Sequence, residues 1–493
     1  MRKKPKILLL NLPNPPNQRL WRDTAGGFGT AIPCHPKSKR NGEAPLHPFL
    51  PYASSLLLKT GYEFKIADCQ ELKFDRSQVL DEVKKESPEI TFSIISLPSL
   101  KYDIKILNEI KESIQNVTIV GVGTVCRVIP DEVLHESKVD IVLRNSYPYT
   151  SHLVDLIQSL QQSGKLKTVG NISYKQKNGK IVHVPDTPEP DIDDLPTPCY
   201  DFLQLDGYET ITDITGERYL YVPIIESKGC PYDCVYCPYP LGFGRKIMFR
   251  PPKAIVDEME DLHSAYNIKG FLLRGQTFAY NRKRAMEICE EIIRRKLDVA
   301  WFCESRVDEV STELLSKMKK AGCRRIHYGV ETGDTETLRI AKPGVILETT
   351  KKAFKTTRET GILTQAHVIL GWPEDNRRTL ESTRKFILKI EPDAINLNFL
   401  TPYPGTKMYE IAKKNSLILT YDWSNYTSHT VVMRTKTLNA NELYAIKKRI
   451  IRDFSKQKLK QLLLQHDFLT VKRPRIFINE AKSLVSRIVF PQD

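Results

Sequence analysis

The chain has 493 residues and a mass of 56.6 kDa, room for about two to four domains and far more than a peptide-sized scaffold. Hydrophobic residues make up 41%, charged residues 27%, and the mean hydropathy is -0.35. That is the balance of a globular chain and excludes a disordered one, and no apolar run approaches the roughly 18 residues needed to cross a bilayer.

Lys and Arg outnumber Asp and Glu by 74 to 59, so the net charge is +15. Such a field draws in anionic partners, whether nucleic acid, phosphorylated substrates or lipid headgroups, without choosing among them. The basic start resembles a signal peptide, but the apolar stretch Ile7–Leu10 stops at Asn11 and Pro13. Export is therefore not expected, and the cytoplasm is the expected compartment. Ten cysteines are too sparse for a disulfide scaffold, and three of them crowd between positions 230 and 237, which points to metal or redox chemistry.

Residues 1–169 alternate short apolar runs with helical patterns. Lys6–Leu10, Phe64–Ala67, Ile90–Ile95, Val117–Val120 and Asp140–Leu143 read as buried strands, with helices expected at Tyr52–Thr60 and Lys101–Ser113. The alternation predicts an α/β, doubly wound parallel sheet of the Rossmann-like kind. Ligands of such sheets sit beyond the carboxyl ends of the strands, which singles out Asn11–Pro16, Ser96–Ser99 and Gly121–Thr124. Gly121 and Gly123 allow close approach of a cofactor, or simply a tight turn. The stretch from Asn11 to Tyr52, with Gly26, Gly27 and Gly29 and several prolines, is too long for an ordinary connection and reads as a functional loop.

Residues 170–215 change composition: a hairpin turning at Asn178-Gly179 precedes Pro185, Pro188, Pro190, Pro196 and Pro198 interleaved with aspartates. This reads as an interdomain linker. Over 216–410 the alternation resumes with a longer period. Strands are expected at Tyr221–Glu226, Gly270–Leu273, Val299–Cys303, Arg325–Val330, Thr364–Leu370 and Ala394–Leu400, separated by helices at Lys253–Tyr266, Lys283–Arg295, Thr312–Ala321, Leu347–Thr360 and Asn376–Lys389. Such β/α units predict a (β/α)6 partial barrel with its chemistry on the loops after the strands.

Residues 411–493 are expected to be helical and basic, with twelve Lys and Arg against five Asp and Glu from Glu442 onward. Leu443, Ile446, Ile450, Phe454, Leu459, Leu462 and Leu463 form an apolar stripe beside Lys447, Lys448, Arg449, Arg452, Lys456, Lys458 and Lys460. The stripe suits a helix packed on the barrel with a solvated basic face, or an interfacial helix that also uses Phe468 against anionic lipid.

Cys230-Pro-Tyr-Asp-Cys234-Val-Tyr-Cys237 stands where the first barrel strand ends. Three thiolates in one loop can hold three irons of a cubane cluster and leave the fourth without a protein ligand, open for reaction. The alternatives are a zinc site, which lacks a fourth ligand closer than His263, and a ferredoxin-type cluster, which wants tighter spacing and a fourth cysteine. Of the other cysteines, Cys303 at a strand end is read as a core thiol, and His327 as a core histidine, with reach into the cavity as the alternative for each.

With Tyr236 at its aromatic position, Cys230, Cys234 and Cys237 reproduce the Cys-x-x-x-Cys-x-aromatic-Cys signature, and the sequence resembles the radical S-adenosylmethionine (SAM) superfamily. The likeness extends over nearly the whole chain. The order of domains resembles the subfamily that places a cobalamin-binding domain before the barrel. Asp191–Pro198, Gly329–Gly333, Ile369–Glu374 and Pro402–Thr406 match further pieces in the family's order.

The resemblance implies a 4Fe-4S cluster on the three cysteines and SAM on the open iron, cleaved by an electron to methionine and a 5'-deoxyadenosyl radical. SAM contacts are expected from Tyr236, Arg274, Gly275, Gln276, Glu304 and Arg306, from Glu331 at the ribose, and from Ile369 and Gly371 near the adenine. Relatives carry an aspartate pair where this chain has Gly275-Gln276. Cobalamin contacts are expected from Ser96, Leu97, Gly121 and Gly123. No Asp-x-His-x-x-Gly occurs in the first domain, so a bound cobalamin is expected in the histidine-off form, the alternative being a domain that keeps the fold without the corrin.

The activity implied is methylation or C-C bond formation at an unactivated C-H bond. The expected substrate is a hydrophobic isoprenoid or other lipid, with a peptide or natural product as the alternative. The expected partners are an electron donor such as ferredoxin or flavodoxin and, through the basic C-terminal region, the inner face of a membrane. A nucleic-acid-binding protein with a structural cluster and a non-catalytic cobalamin carrier are the competing classes. No RNA-recognition or helix-turn-helix signature supports the former.

Overall fold

The computed structural model describes residues 4–34, 45–144, 151–162, 166–188, 192–208, 210–212, 218–465 and 474–489. Nine strands belong to the first unit: β1 (Ile7–Asn11), β2 (Gln18–Trp21), β3 (Thr30–Pro33), β4 (Phe64–Asp68), β5 (Ile90–Ile94), β6 (Thr118–Val122), β7 (Ile141–Leu143), β8 (Ile172–Lys175) and β9 (Ile181–His183). All but β2 and β3 form one sheet in the order β4-β1-β5-β6-β7-β8-β9. The first five of these run parallel. Strands β1 and β5 are buried throughout, which is why they read as unbroken apolar runs. Helices Phe49–Lys59, Arg76–Glu86 and Leu100–Ser113 cover the two faces. The second of them starts at an Asp75–Gln78 capping box, a local signal of where a helix begins.

The hairpin at Asn178-Gly179 is not part of the linker. Its strands β8 and β9 extend the first sheet antiparallel to β7, and Ile172, Tyr174 and Val184 enter that unit's core. The first unit therefore runs past residue 169 to Val184. Pro190 and Asp191 lie outside the described residues.

The second unit contains β10 (Thr210–Thr212), β11 (Arg218–Ile225), β12 (Ser227–Lys228), β13 (Met248–Phe249), β14 (Gly270–Arg274), β15 (Ala300–Ser305), β16 (Cys323–Glu331), β17 (Leu363–Leu370) and β18 (Ala394–Phe399). Strands β11 and β14 to β18 lie side by side, all parallel, as the six expected units require. Strand β10, inside the expected linker, adds an antiparallel edge to β11. Helices Pro252–Tyr266, Arg282–Arg295, Thr312–Lys320, Leu347–Glu359 and Arg377–Ile390 pack outside, and a further short helix, Thr335–Ala341, follows β16.

The C-terminal region is helical only in part. Between helices Lys407–Lys414 and Ala440–Gln465, an irregular segment places Trp423, Tyr426 and Val432 in the core of the first unit, and Leu417 and Met433 against Trp372 of the second. This segment ties the two units together. Helix Ala440–Gln465 turns Leu443, Ile450 and Phe454 into the barrel core. Lys447, counted above on the basic face, is buried over the Phe399 ring, and Lys458 pairs with Asp393 at 3.7 Å. Phe468 lies outside the described residues.

Candidate active site

The short ladder of β12 with β13 pins the two ends of the cysteine loop. Gly229 enters it at φ +87, where a side chain would strike the carbonyl of Lys246. Cys230 N-H donates to the Gly244 carbonyl at 3.1 Å, and Cys237 N-H to the Cys234 carbonyl at 3.1 Å. The three cysteines line one cavity of about 350 Å³, walled by the barrel, the first unit and the C-terminal segment. Burial raises all three thiols, Cys234 to about 11, so loading iron must displace their protons. Among the described residues no three Cys, His, Asp or Glu side chains converge on one ion. A tetrahedral zinc wants a fourth ligand beside three thiolates, whereas a cubane takes one thiolate at each of three irons.

Above the barrel strands the expected SAM residues form a polar rim of separate ion-paired groups. Arg274 donates to Asp23 of the first unit at 2.6 Å and lies 3.9 Å from Glu304. Gln276 donates to the other Glu304 oxygen at 2.7 Å. Gly275 is fixed by Glu226, a buried carboxylate that a Cβ would overlap, so the position admits no side chain. Arg306 pairs with Asp308 at 2.8 Å and lies 3.6 Å over the Tyr232 ring. Glu331 is buried at φ +63 beside an irregularity in the β16–β17 register. Lys342 holds it at 3.2 Å and also donates to the Gly329 carbonyl at 2.7 Å. Tyr236 meets Trp372 edge-on, and Ile369 lines the cavity.

The remaining expected residues lie elsewhere. Gly371 is not in the cavity wall: at φ +91 its N-H donates to Asp375 at 3.0 Å, making it a turn residue. Ser96, Leu97, Gly121 and Gly123 are also absent from that wall. The long segment after β1 folds back over these strand ends, leaving a cleft of about 10 Å³. Ser96 Oγ accepts from Arg22 at 2.9 Å, Leu97 N-H donates to Phe28, and a side chain at Gly121 or Gly123 would strike Ile95. Instead of these residues, the first unit presents Asp23, Thr24, Ala25, Gly26 and Thr30 to the cavity. The length and glycines of that segment signalled a functional loop; which face it covers depends on tertiary packing. Cys303 is buried with Cys289 and Cys323 outside the cavity, as expected of a core thiol. His327 is a correction: it faces the cavity, together with His367, Asn396 and Asn398.

With this geometry in place, comparison with known proteins supplies the class. Residues 224–387 match the radical SAM superfamily. An uncharacterised methyltransferase of Pyrococcus horikoshii is 29% identical over 86% of this chain and 91% of its own. The anaerobic magnesium-protoporphyrin IX monomethyl ester cyclase of Rubrivivax gelatinosus is 26% identical over 87% of this chain and 76% of its own. The fold matches the cobalamin-dependent SAM radical enzyme OxsB, solved with aqua-cobalamin and SAM, at a TM-score of 0.73 and 17% identity over 98% of this chain and 70% of that one.

Residues 224–387 thus form a radical SAM domain, the catalytic domain of an enzyme. The fold around it, a parallel-sheet unit set before a partial barrel, is the fold of the cobalamin-dependent enzymes TsrM and OxsB.

Proposed function

We propose that the chain functionalises an unactivated C-H bond of a hydrophobic substrate, by methylation or C-C bond formation, using a 4Fe-4S cluster, SAM and histidine-off cobalamin. The observation that carries this reading is a single cavity lined at once by Cys230, Cys234 and Cys237, by the polar rim of strand ends, and by both units of the chain. Cys230, Cys234 and Cys237 would hold the cluster, whose electron cleaves SAM to a carbon radical when both are bound. The chain's own part is to fix SAM in one pose and exclude water. Glu331 and Lys342 hold each other in the wall, while Asp23 and Glu304 hold Arg274.

The wall that the first unit offers to cobalamin is Asp23–Gly26 and Thr30. Ile225, Tyr239, Phe243, Phe399, Leu400 and Tyr403 supply apolar wall suited to a hydrophobic substrate. A relative that acts on a protoporphyrin ester supports the same substrate class. An isoprenoid lipid is the substrate proposed for this wall, and a membrane-facing C-terminal helix would deliver it; ferredoxin or flavodoxin is the proposed electron donor.

Anaerobic reconstitution with iron, sulfide and hydroxocobalamin, followed by reduction with SAM, tests the reading. About four iron atoms per chain and formation of 5'-deoxyadenosine are expected. Replacing all three cysteines by Ala should remove both. Full iron content in that variant would refute the cluster assignment.

A further inference from the structure

Below the charged rim, the barrel interior changes character. Barrel interiors are ordinarily filled by branched apolar side chains, yet here the inward positions carry His327 on β16, Gln365 and His367 on β17, and Asn396 and Asn398 on β18. Alternating burial along β16 and β17 places Ile326, Tyr328, Ala366 and Val368 in the outer core and turns the histidines inward. The register sets these side chains next to one another: His327 pairs with Gln365, His367 with Asn396, and Ile369 with Asn398. His327, His367, Asn396 and Asn398 all line the cavity that holds the three cysteines.

This floor is incompletely satisfied. His327 Nε2 is buried and has no hydrogen-bond partner. Its ring stacks on Phe302 with centroids 5.2 Å apart, and the His367 ring lies 5.4 Å away on the other side. The His367 ring is met by the Gln365 amide at a long 3.4 Å. Leaving a buried polar atom without a partner costs about 1–3 kcal/mol, so a bound group that completes it gains that interaction. Burial pushes both imidazoles below their ordinary range, so each is neutral and offers one donor and one acceptor. The cations of the rim are already engaged: Arg274 with Asp23, Arg306 with Asp308 and Lys342 with Glu331. Neutral groups of mixed polarity, with the nearby cations paired, favour an uncharged oxygen function over a carboxylate or phosphate.

We propose that His327, His367 and Asn396 form a recognition site for a hydroxyl or carbonyl oxygen of the substrate, which fixes the carbon skeleton below the cofactors. The proposal deepens the functional reading above and rests on it for the identity of the ligand as substrate. It makes these three residues determinants of specificity and gives the hydrophobic substrate a polar anchor.

The test uses the full-length chain with ¹⁵N-labelled histidine. The ring-nitrogen signals of His327 and His367 are assigned from their loss in His327→Gln and His367→Gln. Cyclohexanol, cyclohexanone, methylcyclohexane and cyclohexanecarboxylate are titrated as probes of matched shape. Cyclohexanol and cyclohexanone should shift both histidine signals, with an apparent affinity about tenfold above that of either other probe, the worth of one good hydrogen bond. In His327→Phe the cyclohexanol response at His367 should fall by a similar factor, whereas His327→Gln, which keeps a hydrogen-bonding group, should retain it. No histidine response to any probe, equal responses to all four, or the strongest response to the carboxylate would overturn the proposal, even if both variants failed to fold. The functional reading fails separately, if the reconstituted wild-type chain makes no 5'-deoxyadenosine.

Discussion

Burial pushes the His47 imidazole down to about 3 from an ordinary value of 6.5, against a smaller opposing pull from Asp23. The folded chain keeps this ring neutral across that range, while the unfolded chain protonates it below about 6.5. Between the two values unfolding takes up a proton, so His47 withdraws stability as pH falls from about 6.5 toward 3, by up to about 1.4 kcal/mol per pH unit. Denaturant unfolding of wild type and His47→Gln at pH 7 and pH 5 should show a shallower acid loss in the variant. Equal losses would mean that the ring is already solvated in the folded chain.

Arg22 poses the opposite problem, a buried charge answered at both of its terminal nitrogens. Its guanidinium donates to both Asp103 oxygens at 2.7 and 2.9 Å, to Ser96 and Ser99, and to the Leu12 carbonyl. Breaking a buried pair by removing one partner strands the other, at a cost of about 3–5 kcal/mol. Arg22→Met should therefore lower the denaturation midpoint sharply, and Arg22→Met with Asp103→Leu should recover much of the loss. A double variant no more stable than the single one would show that packing of the segment, not the charge, is what Arg22 provides.

The hairpin of β2 and β3 shows how one short element serves both units. The Gly26 carbonyl accepts from Thr124 of the first unit at 2.7 Å. A side chain on Gly26, at φ +66, would meet the backbone of Pro238 and Tyr239 beside the cysteine loop at 2.7 Å. Gly26→Val should lift the hairpin from that loop, lowering iron retained after reconstitution and exposing the Thr24–Thr30 segment to limited proteolysis. Normal iron content with an unchanged cleavage pattern would show that the loop stands without the hairpin.

The parallel strands were legible because burial on both faces writes local apolar runs, and the polar rim of the cavity because strand ends can be located to within a residue or two. The alternation of Ile326, Tyr328 and Val330 with Arg325, His327 and Gly329 was also in the sequence. It carries His327 to the inner face once β16 is accepted as a barrel strand. What could not be read was contact between distant segments. Arg274 and Asp23 stand 251 positions apart, and the cover that the hairpin lays over Ser96 and Gly123 follows from tertiary packing alone. Gly371 shows the converse: its position in a matching motif suggested a ligand contact, whereas its backbone conformation serves a turn.

For the whole molecule, the net charge of +15 acts through where its cations end. No described helix is long and apolar enough to cross a membrane. Helix Ala440–Gln465 packs Leu443, Ile450 and Phe454 inward, so deleting it would open the barrel core and report on folding instead of membrane binding. Its outer surface is the testable part. Lys448, Arg449, Arg452, Lys456 and Lys460 are exposed, and beyond them Leu463 and Leu464 are 52% and 75% exposed. Cations that attract headgroups, followed by leucines that can enter the acyl boundary, would make a two-part anchor whose electrostatic part would weaken once the Debye length falls to about 10 Å near 0.1 M salt. Co-sedimentation with phosphatidylcholine vesicles containing phosphatidylglycerol should be strong at low salt and fall several-fold above 0.1 M. The Leu463→Glu/Leu464→Glu double variant should bind several-fold less, with thermal stability within about 0.5 kcal/mol of wild type because both side chains are exposed. Binding that is insensitive to both salt and the leucines, or no binding by the full chain, would detach the substrate from any membrane and favour one that reaches the cavity from solution.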